Sequence, residues 1–549
     1  MGTQGAKAFL LAEIQRDAII ARKEDLRAVR GFSEKELAVS MDLKRLFYKP
    51  AVMDVITELF WELHQYKLPF QVGGLATGAI PLVTAILQKG YQKGFVVNGF
   101  VVRKERKSSG KYKQMDGVLD DTPIFLVDDY LNTGHSIERI QLVLEQYNRK
   151  ASYVFALVDF ETPSSSQYLK QQELELFSLF SAQQDLELPL RSTSSWQEPT
   201  LGISWVFYPD NPNYAFNVPN SEPVCDDTHV YVGCSDNHFY AIEQSSGQVT
   251  WATRVGKTPQ SILSSPALYY DTIFFGAHDG NFYALDKWTG FPRWVNREAD
   301  SMASSPALAP DLGLLFVGAE YAIAGNRGAL LALSMTTGES IWWEAVAKCV
   351  HGSPVYIPER RRVAVGTDDN SVILLEAVAG ERVWEFKTQG PVKHSLAYDA
   401  ERGLLCFGSL DNNIYAVDVD SGEEVFRVAT ENAVYATPLV VNDRLFCPST
   451  DRNMYVIDLN SGNVIRKIRS FGKLYSSPAL IHDSVFWGGN DGIFRGVCSK
   501  TLKRTQWIRV AERLLSKPTW CNGQYYINGA GGTLYTLHEL PVAVEEGSS

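Results

Sequence analysis

Beyond about residue 190 the chain repeats itself, and that repetition limits the fold more than any other feature. Residues 230–242 and 273–285 are near copies, each an apolar strand, a glycine, a polar turn and a second strand containing Tyr-Ala. The strand-ending glycine recurs at Gly233, Gly276, Gly318, Gly366, Gly408, Gly488 and Gly529, with Pro448 in its place in the sixth copy. An upstream proline recurs at Pro223, Pro266, Pro306, Pro354, Pro438, Pro478 and Pro518, with Leu396 replacing it once. Both markers count eight copies, and successive markers lie 40 to 48 residues apart.

A unit of that length holding four short strands is one propeller blade, which hides its apolar faces only against neighbouring blades. The eighth copy stops after 534–537 without a closing strand, and residues 203–208, ahead of the first copy, can supply it. Such an exchange closes the ring and removes open sheet edges. Eight blades are expected, with seven the alternative. Trp251, Trp294, Trp342 and Trp384 occupy repeated positions, which reads as blade packing. The Asp-Gly, Tyr-Ala-Leu-Asp, Thr-Gly and Trp pattern resembles the quinoprotein-type (PQQ-like) β-propeller over roughly residues 205–540. The resemblance speaks for architecture. Quinoprotein dehydrogenases commonly carry an adjacent-cysteine disulfide beside the quinone, and no adjacent cysteines exist here, so no PQQ is expected.

The first 190 residues follow a different grammar, with amphipathic helices alternating with short apolar strands. Residues 51–66 place Val52, Val55, Ile56, Leu59, Phe60 and Leu63 on one helical face, with Pro50 near the start. Strands are expected at 69–72, 95–102, 124–127 and 153–158, with a helix at 79–88. That alternation means an α/β domain with a parallel sheet and flanking helices, binding ligands at the carboxyl ends of its strands. The expected division is 1–190 for this domain, 191–202 for a linker, 203–540 for the propeller and 541–549 for a disordered tail.

Within the first domain the chemistry concentrates at residues 124–136. Four apolar residues lead into Asp128 and Asp129, and Asn132, Thr133, Gly134, His135 and Ser136 then open a helical pattern. Backbone N–H groups at a helix start attract an anion, and adjacent carboxylates hold sugar hydroxyls or draw a hard cation. A sugar phosphate is the guest that fits. On its own, Asp-Asp is equally an ordinary strand end with a helix cap.

Two further loops alter that balance. Residues 72–82, with Gly73, Gly74, Thr77 and Gly78, and the basic run Arg103, Lys104, Arg106 and Lys107 precede it in the chain. The three segments in this order resemble type I phosphoribosyltransferases, most closely orotate phosphoribosyltransferase, over roughly residues 35–180. Residues 41–44 are similar to a shorter N-terminal segment of that family. The resemblance implies phosphoribosyl diphosphate (PRPP) as donor, with Asp128 and Asp129 on the ribose and residues 132–136 around the 5′-phosphate. Gly73, Gly74, Thr77 and Gly78 would approach the pyrophosphate, Mg2+ would be held mainly by substrate oxygens, and Arg103, Lys104 and Lys107 would clamp the leaving pyrophosphate. Lys107 joins the two carboxylates as a catalytic candidate. His135 stands at a variable family position and is assigned backbone duty only. Because the basic loop of these enzymes reaches into a neighbouring subunit, a homodimer is implied.

The departures concern one donor to pyrophosphate, at Ser109, and the acceptor, at Phe160. Ser109 stands where the family has His, and Phe160 follows Asp159 where the family has an Arg that grips the orotate carboxylate. Phe160 offers a face to a base and no charge to a carboxylate. The implied acceptor is therefore nucleobase-like and either neutral or supplied by a partner molecule, and orotate itself is not the expected one. Two alternatives stay open: a regulator that binds PRPP or a nucleotide without turnover, and a quinone dehydrogenase centred on the propeller. The propeller is expected to serve as a scaffold for a protein partner or ligand.

A net charge of −11 argues against a nucleic-acid or membrane-surface binder. The first residues carry charges that a signal sequence would not tolerate, and no apolar run is long enough to span a bilayer. A cytoplasmic location is expected. All seven cysteines fall after residue 220 without metal-ligand spacing, so they are expected as buried apolar residues, with neither zinc nor disulfides.

Overall fold

The computed structural model describes residues 2–20, 40–76, 78–103, 114–186, 188, 198–210, 221–256, 262–321 and 327–541. These form two compact units that divide between Glu198 and Pro199. Residues 191–197 of the expected linker and 542–549 of the expected tail lie outside the described residues.

The N-terminal unit runs α1 (Thr3–Asp17), β1 (Ile19–Ile20), β2 (Ser40–Met41), α2 (Lys44–Phe47), α3 (Pro50–His64), β3 (Gln71–Leu75), α4 (Ile80–Gln92), β4 (Gly99–Val102), β5 (Met115–Gly117), β6 (Ile124–Leu131), α5 (His135–Glu145), β7 (Tyr153–Asp159), α6 (Pro163–Gln171) and β8 (Glu175–Ser181). Its six-stranded sheet has the order β5-β4-β3-β6-β7-β8. All neighbours pair in parallel except the edge strand β5, which returns antiparallel to β4. The apolar face of α3, with Val52, Ile56, Leu59 and Phe60, shares a core with Val72, Phe125, Val127 and Phe155 of the sheet. Burying each such side chain contributes about 2 kcal/mol.

Two local departures from the sequence reading have packing causes. The third strand runs through Gly73 and Gly74 instead of stopping before them. A Cβ on Gly73 would lie 2.2 Å from the Phe100 ring, and one on Gly74 would lie 2.3 Å from the Ala79 Cβ. The two glycines therefore make room for a central strand between crowded neighbours. Residues 95–98, expected as strand, stay outside the ladder, and β4 begins at Gly99.

The C-terminal unit is an eight-bladed propeller of four-stranded antiparallel sheets. The last blade contains Thr519–Cys521, Gln524–Asn528 and Leu534–Glu539, and its outer strand is β9 (Leu201–Phe207), paired with Leu534 opposite Phe207. The ring thus closes with the strand that precedes the first copy.

The repeated tryptophans lock each of the first four blades to the next. Trp251, Trp294, Trp342 and Trp384 donate their indole N–H to the carbonyls of Lys287, Met335, Ala377 and Val419, at 3.0, 3.1, 3.0 and 3.0 Å. In the same turn a glycine with positive φ, such as Gly422 at 75°, leaves space for the ring. Trp205 of β9 makes the equivalent bond to Gln244 at 2.9 Å, so the closing junction follows the common rule.

One expectation is overturned. Cys225 and Cys521 form a disulfide with their Cα atoms 6.6 Å apart, although they are separated by 296 positions. Ring closure sets the inner strands of the first and last blades side by side, a proximity that cysteine spacing along the chain does not reveal. Cys234, Cys406 and Cys447 are buried, as expected.

Candidate functional site

The carboxyl ends of β3, β6 and β7 carry the loops that the sequence singled out. Strand β6 continues through both carboxylates to Leu131, because Asp128, Tyr130 and Leu131 stay in register with Ala156, Val158 and Asp159 of β7. Asp128 and Asp129 end up 9% and 8% exposed. The backbone N–H of Asp129 donates to the Asp128 carboxylate, and that of Tyr130 to the Asp129 carboxylate, both at 3.0 Å. Burial pushes the Asp128 carboxyl well above the usual range, and the Asp129 charge adds to it. A hydrogen bond with Ser136 works the other way. Two buried carboxylates side by side call for positive charge or hydroxyl donors beside them.

The following turn is built for a close backbone. Gly134 sits at φ 80°, a conformation that L side chains rarely adopt, and caps the start of α5. The α5 N-terminus therefore opens directly beside the carboxylates, as an anion cradle requires. The Thr133 hydroxyl lies 3.0 Å from His135 Nδ1. The loop is braced from outside: the Thr162 hydroxyl donates to the Asn132 carbonyl, and Ser164 donates to the Thr133 carbonyl at 3.2 Å. Neither brace was identified from the sequence. The visible signal was Thr162-Pro163 opening α6, where the Thr162 hydroxyl also accepts the Ser165 N–H at 3.2 Å.

Of the other expected site residues, Thr77, Lys104 and Lys107 lie outside the described residues. Gly73 and Gly74 are in the interior of β3, and Gly78 follows in the loop that leads to α4. Lys44 was not among the expected site residues, yet its Cε would be 3.3 Å from a Cβ on Gly78. This brings a cation to that loop from the 41–44 segment. Arg103 is ion-paired with Asp116 across β4 and β5, next to the start of the basic run.

Phe160 is 6% exposed and belongs to the core. Its ring meets that of Tyr130 edge-on, with centroids 5.8 Å apart. Tyr130 is the partly exposed member of this pair. Burial, followed by the charges of Asp129, Asp128 and Asp42, pushes its phenol up to about 12, so the hydroxyl remains a donor at neutral pH.

Among the described residues no three His, Cys, Asp or Glu side chains group as a metal site. The oxygen-only donors Asp128 and Asp129 suit a hard cation such as Mg2+, provided that ligand oxygens complete its shell. Among the described residues, no helix is long and apolar enough to cross a membrane.

Comparison with known proteins separates the two units. Orotate phosphoribosyltransferase of Bradyrhizobium sp. (strain ORS 278) is 30% identical over 161 residues, covering 27% of this chain and 87% of that relative. The Aquifex aeolicus (strain VF5) orotate phosphoribosyltransferase is 29% identical over 178 residues, covering 31% of this chain and 97% of its own length. The family model "Outer membrane protein assembly factor BamB" matches residues 194–355 and 368–467. Among solved structures, BamB from Moraxella catarrhalis aligns with a TM-score of 0.51 at 15% identity, over 62% of this chain and 99% of that one. The quinohemoprotein alcohol dehydrogenase ADHIIG from Pseudomonas putida HK5 aligns at 0.53 and 14% identity, over 64% and 78%. At these identities the structural likeness speaks for the propeller fold alone.

Proposed function

We infer the chemistry from one premise: through its N-terminal unit the chain belongs to the orotate phosphoribosyltransferase family. On that basis we propose that it transfers the phosphoribosyl group of PRPP to a neutral, nucleobase-like acceptor, with Mg2+. The observation that carries the reading is the pair of buried carboxylates, Asp128 and Asp129, beside the open N-terminus of α5.

In this mechanism Asp128 and Asp129 accept the ribose 2′- and 3′-hydroxyls and favour the positive charge that develops at C1′. Backbone N–H groups of residues 132–136 hold the 5′-phosphate. The bond from C1′ to the pyrophosphate oxygen breaks, and its electron pair leaves with pyrophosphate. A ring nitrogen of the acceptor then bonds C1′, and its proton passes to water. Lys44, Gly78 and the basic run receive the departing pyrophosphate, with Arg103 released from Asp116 to join them. Bound Mg2+ would neutralise the leaving group, held by substrate oxygens and by Asp128 and Asp129. The absence of an arginine at position 160 supports a neutral acceptor.

In this proposal the protein works as a cytoplasmic homodimer joined through its transferase units, and the propeller is a scaffold for a partner. The Arg103–Asp116 ion pair favours a second reading, a PRPP-binding regulator in which that arginine is not free for turnover. Incubation with PRPP, Mg2+ and a panel of bases, orotate included, distinguishes the two. Release of pyrophosphate with a neutral base supports transfer. Saturable PRPP binding without release from any base leaves the regulator.

A further inference from the structure

We propose that Cys225 and Cys521 are a reversible redox-modification site, a clasp that joins the first and last blades covalently when oxidised. When reduced, the ring remains closed by β9 and the noncovalent contacts at the same junction.

The repeat makes the pair conspicuous. Cys225 stands two residues after its blade's marker proline, and Cys521 three after its own. At the other junctions the corresponding pairs are Asp226 with Leu268, Tyr269 with Leu308, Ala309 with Tyr356, Ile357 with Tyr398, Asp399 with Val440, Val441 with Leu480 and Ile481 with Trp520. Cysteine occupies both positions only where the ring closes.

The surroundings allow the bond to form and break in the native fold. Both cysteines are partly exposed, whereas Cys234, Cys406 and Cys447 are buried. Contacts independent of sulfur already hold the two inner strands together. The Thr519 hydroxyl donates to the Pro223 carbonyl at 2.5 Å, and the Asn522 amide to the Asp227 carbonyl at 2.7 Å and the Gln244 side chain at 2.9 Å. Asn528 donates to the Ser221 carbonyl at 2.7 Å. With the strands fixed by these bonds, oxidation requires no movement of blades.

The chemistry is exchange with a low-molecular-weight disulfide. One cysteine thiolate attacks that disulfide and releases the first small thiol. The second cysteine, after losing its proton, attacks the mixed disulfide and releases the other. Two protein thiols become one disulfide while one small disulfide becomes two thiols. A dithiol reverses the sequence.

The test equilibrates the native full-length protein in glutathione buffers of increasing oxidised-to-reduced ratio. Free thiols are then trapped, and peptides are mapped without reduction. The Cys225–Cys521 cross-linked peptide should rise with the ratio and disappear on return to reduced glutathione without denaturant. The propeller of the oxidised form should melt on the order of 5 °C higher than that of the reduced form. Cys225→Ser should remove that difference; should this variant not fold, the wild-type peptide map decides alone. A pair that stays reduced at every ratio, stays cross-linked at every ratio, or carries only glutathione adducts would overturn the clasp.

Discussion

The Thr162 hydroxyl donates to the backbone carbonyl of Asn132, tying the start of α6 to the turn between β6 and α5. That turn is the proposed anion cradle, so a side chain outside the motif sets the position of the motif's backbone. Thr162→Val removes this bond and the cap on the Ser165 N–H. Each loss is worth about 1 kcal/mol. The expected outcome is a rise of about tenfold in KM for PRPP with a smaller change in kcat. Thr162→Ser keeps the hydroxyl and should restore the wild-type value. Steady-state kinetics of the two variants check the assignment.

Trp384 and Gly422 make a matched pair, with a Cβ on Gly422 lying 2.9 Å from the indole. Trp384→Ala should cost the propeller about 3 kcal/mol, through the cavity and the lost bond to the Val419 carbonyl. Gly422→Ala should cost about 1–2 kcal/mol, because it adds backbone strain at positive φ to the clash. Denaturant unfolding followed on the propeller measures both.

His64 is buried among Phe60, Phe125, Phe155 and Phe177, and among the described residues neither ring nitrogen has a hydrogen-bond partner. Burial, with the Lys67 charge adding to it, lowers its pKa to about 4. The unfolded chain takes up a proton near pH 6.5 that the folded one refuses until about pH 4. Stability of the N-terminal unit should therefore fall by about 3 kcal/mol as pH drops through that interval. His64→Leu should remove this component, as comparison of the two unfolding curves across pH would reveal.

His351 has the opposite sign. Burial opposes its protonation, but the Asp368 hydrogen bond and the Glu320 charge outweigh that effect and raise its pKa. Its Nδ1 lies 2.9 Å from Asp368, whose carboxylate also meets Lys393 at 2.8 Å. The stabilisation is complete below the ordinary histidine pKa of about 6.5 and is lost as pH rises through the raised value. Thermal melts of the propeller should show this loss in the wild type and a flatter profile in Asp368→Asn.

The propeller was legible because its markers repeat at the spacing of a blade: Gly233, Gly276, Gly408 and Pro448 each end a strand, and β9 fills the gap left after residue 537. The clasp was not legible, since Cys225 and Cys521 become neighbours only through ring closure. In the first unit, residues 124–136 announced the strand, the turn and the helix start by local order alone. Phe160 was expected to face a base; it lies in the core instead, with Tyr130 above it partly exposed. Identity at one position does not say which of two adjoining aromatics is covered. Thr162 reaches the turn from a distant segment and its contact emerges only from packing, as does the nearness of Lys44, within the 41–44 segment, to Gly78.

In the proposed mechanism Asp128 and Asp129 make the N-terminal unit a phosphoribosyltransferase. The most direct test of that mechanism is PRPP-dependent pyrophosphate release, with Mg2+ and a neutral base, by the wild type beside Asp129→Asn. Base-dependent release by the wild type, reduced on the order of a hundredfold in a variant that still folds, is the predicted result. Equal release by both proteins, or none by the wild type with any base, would contradict it.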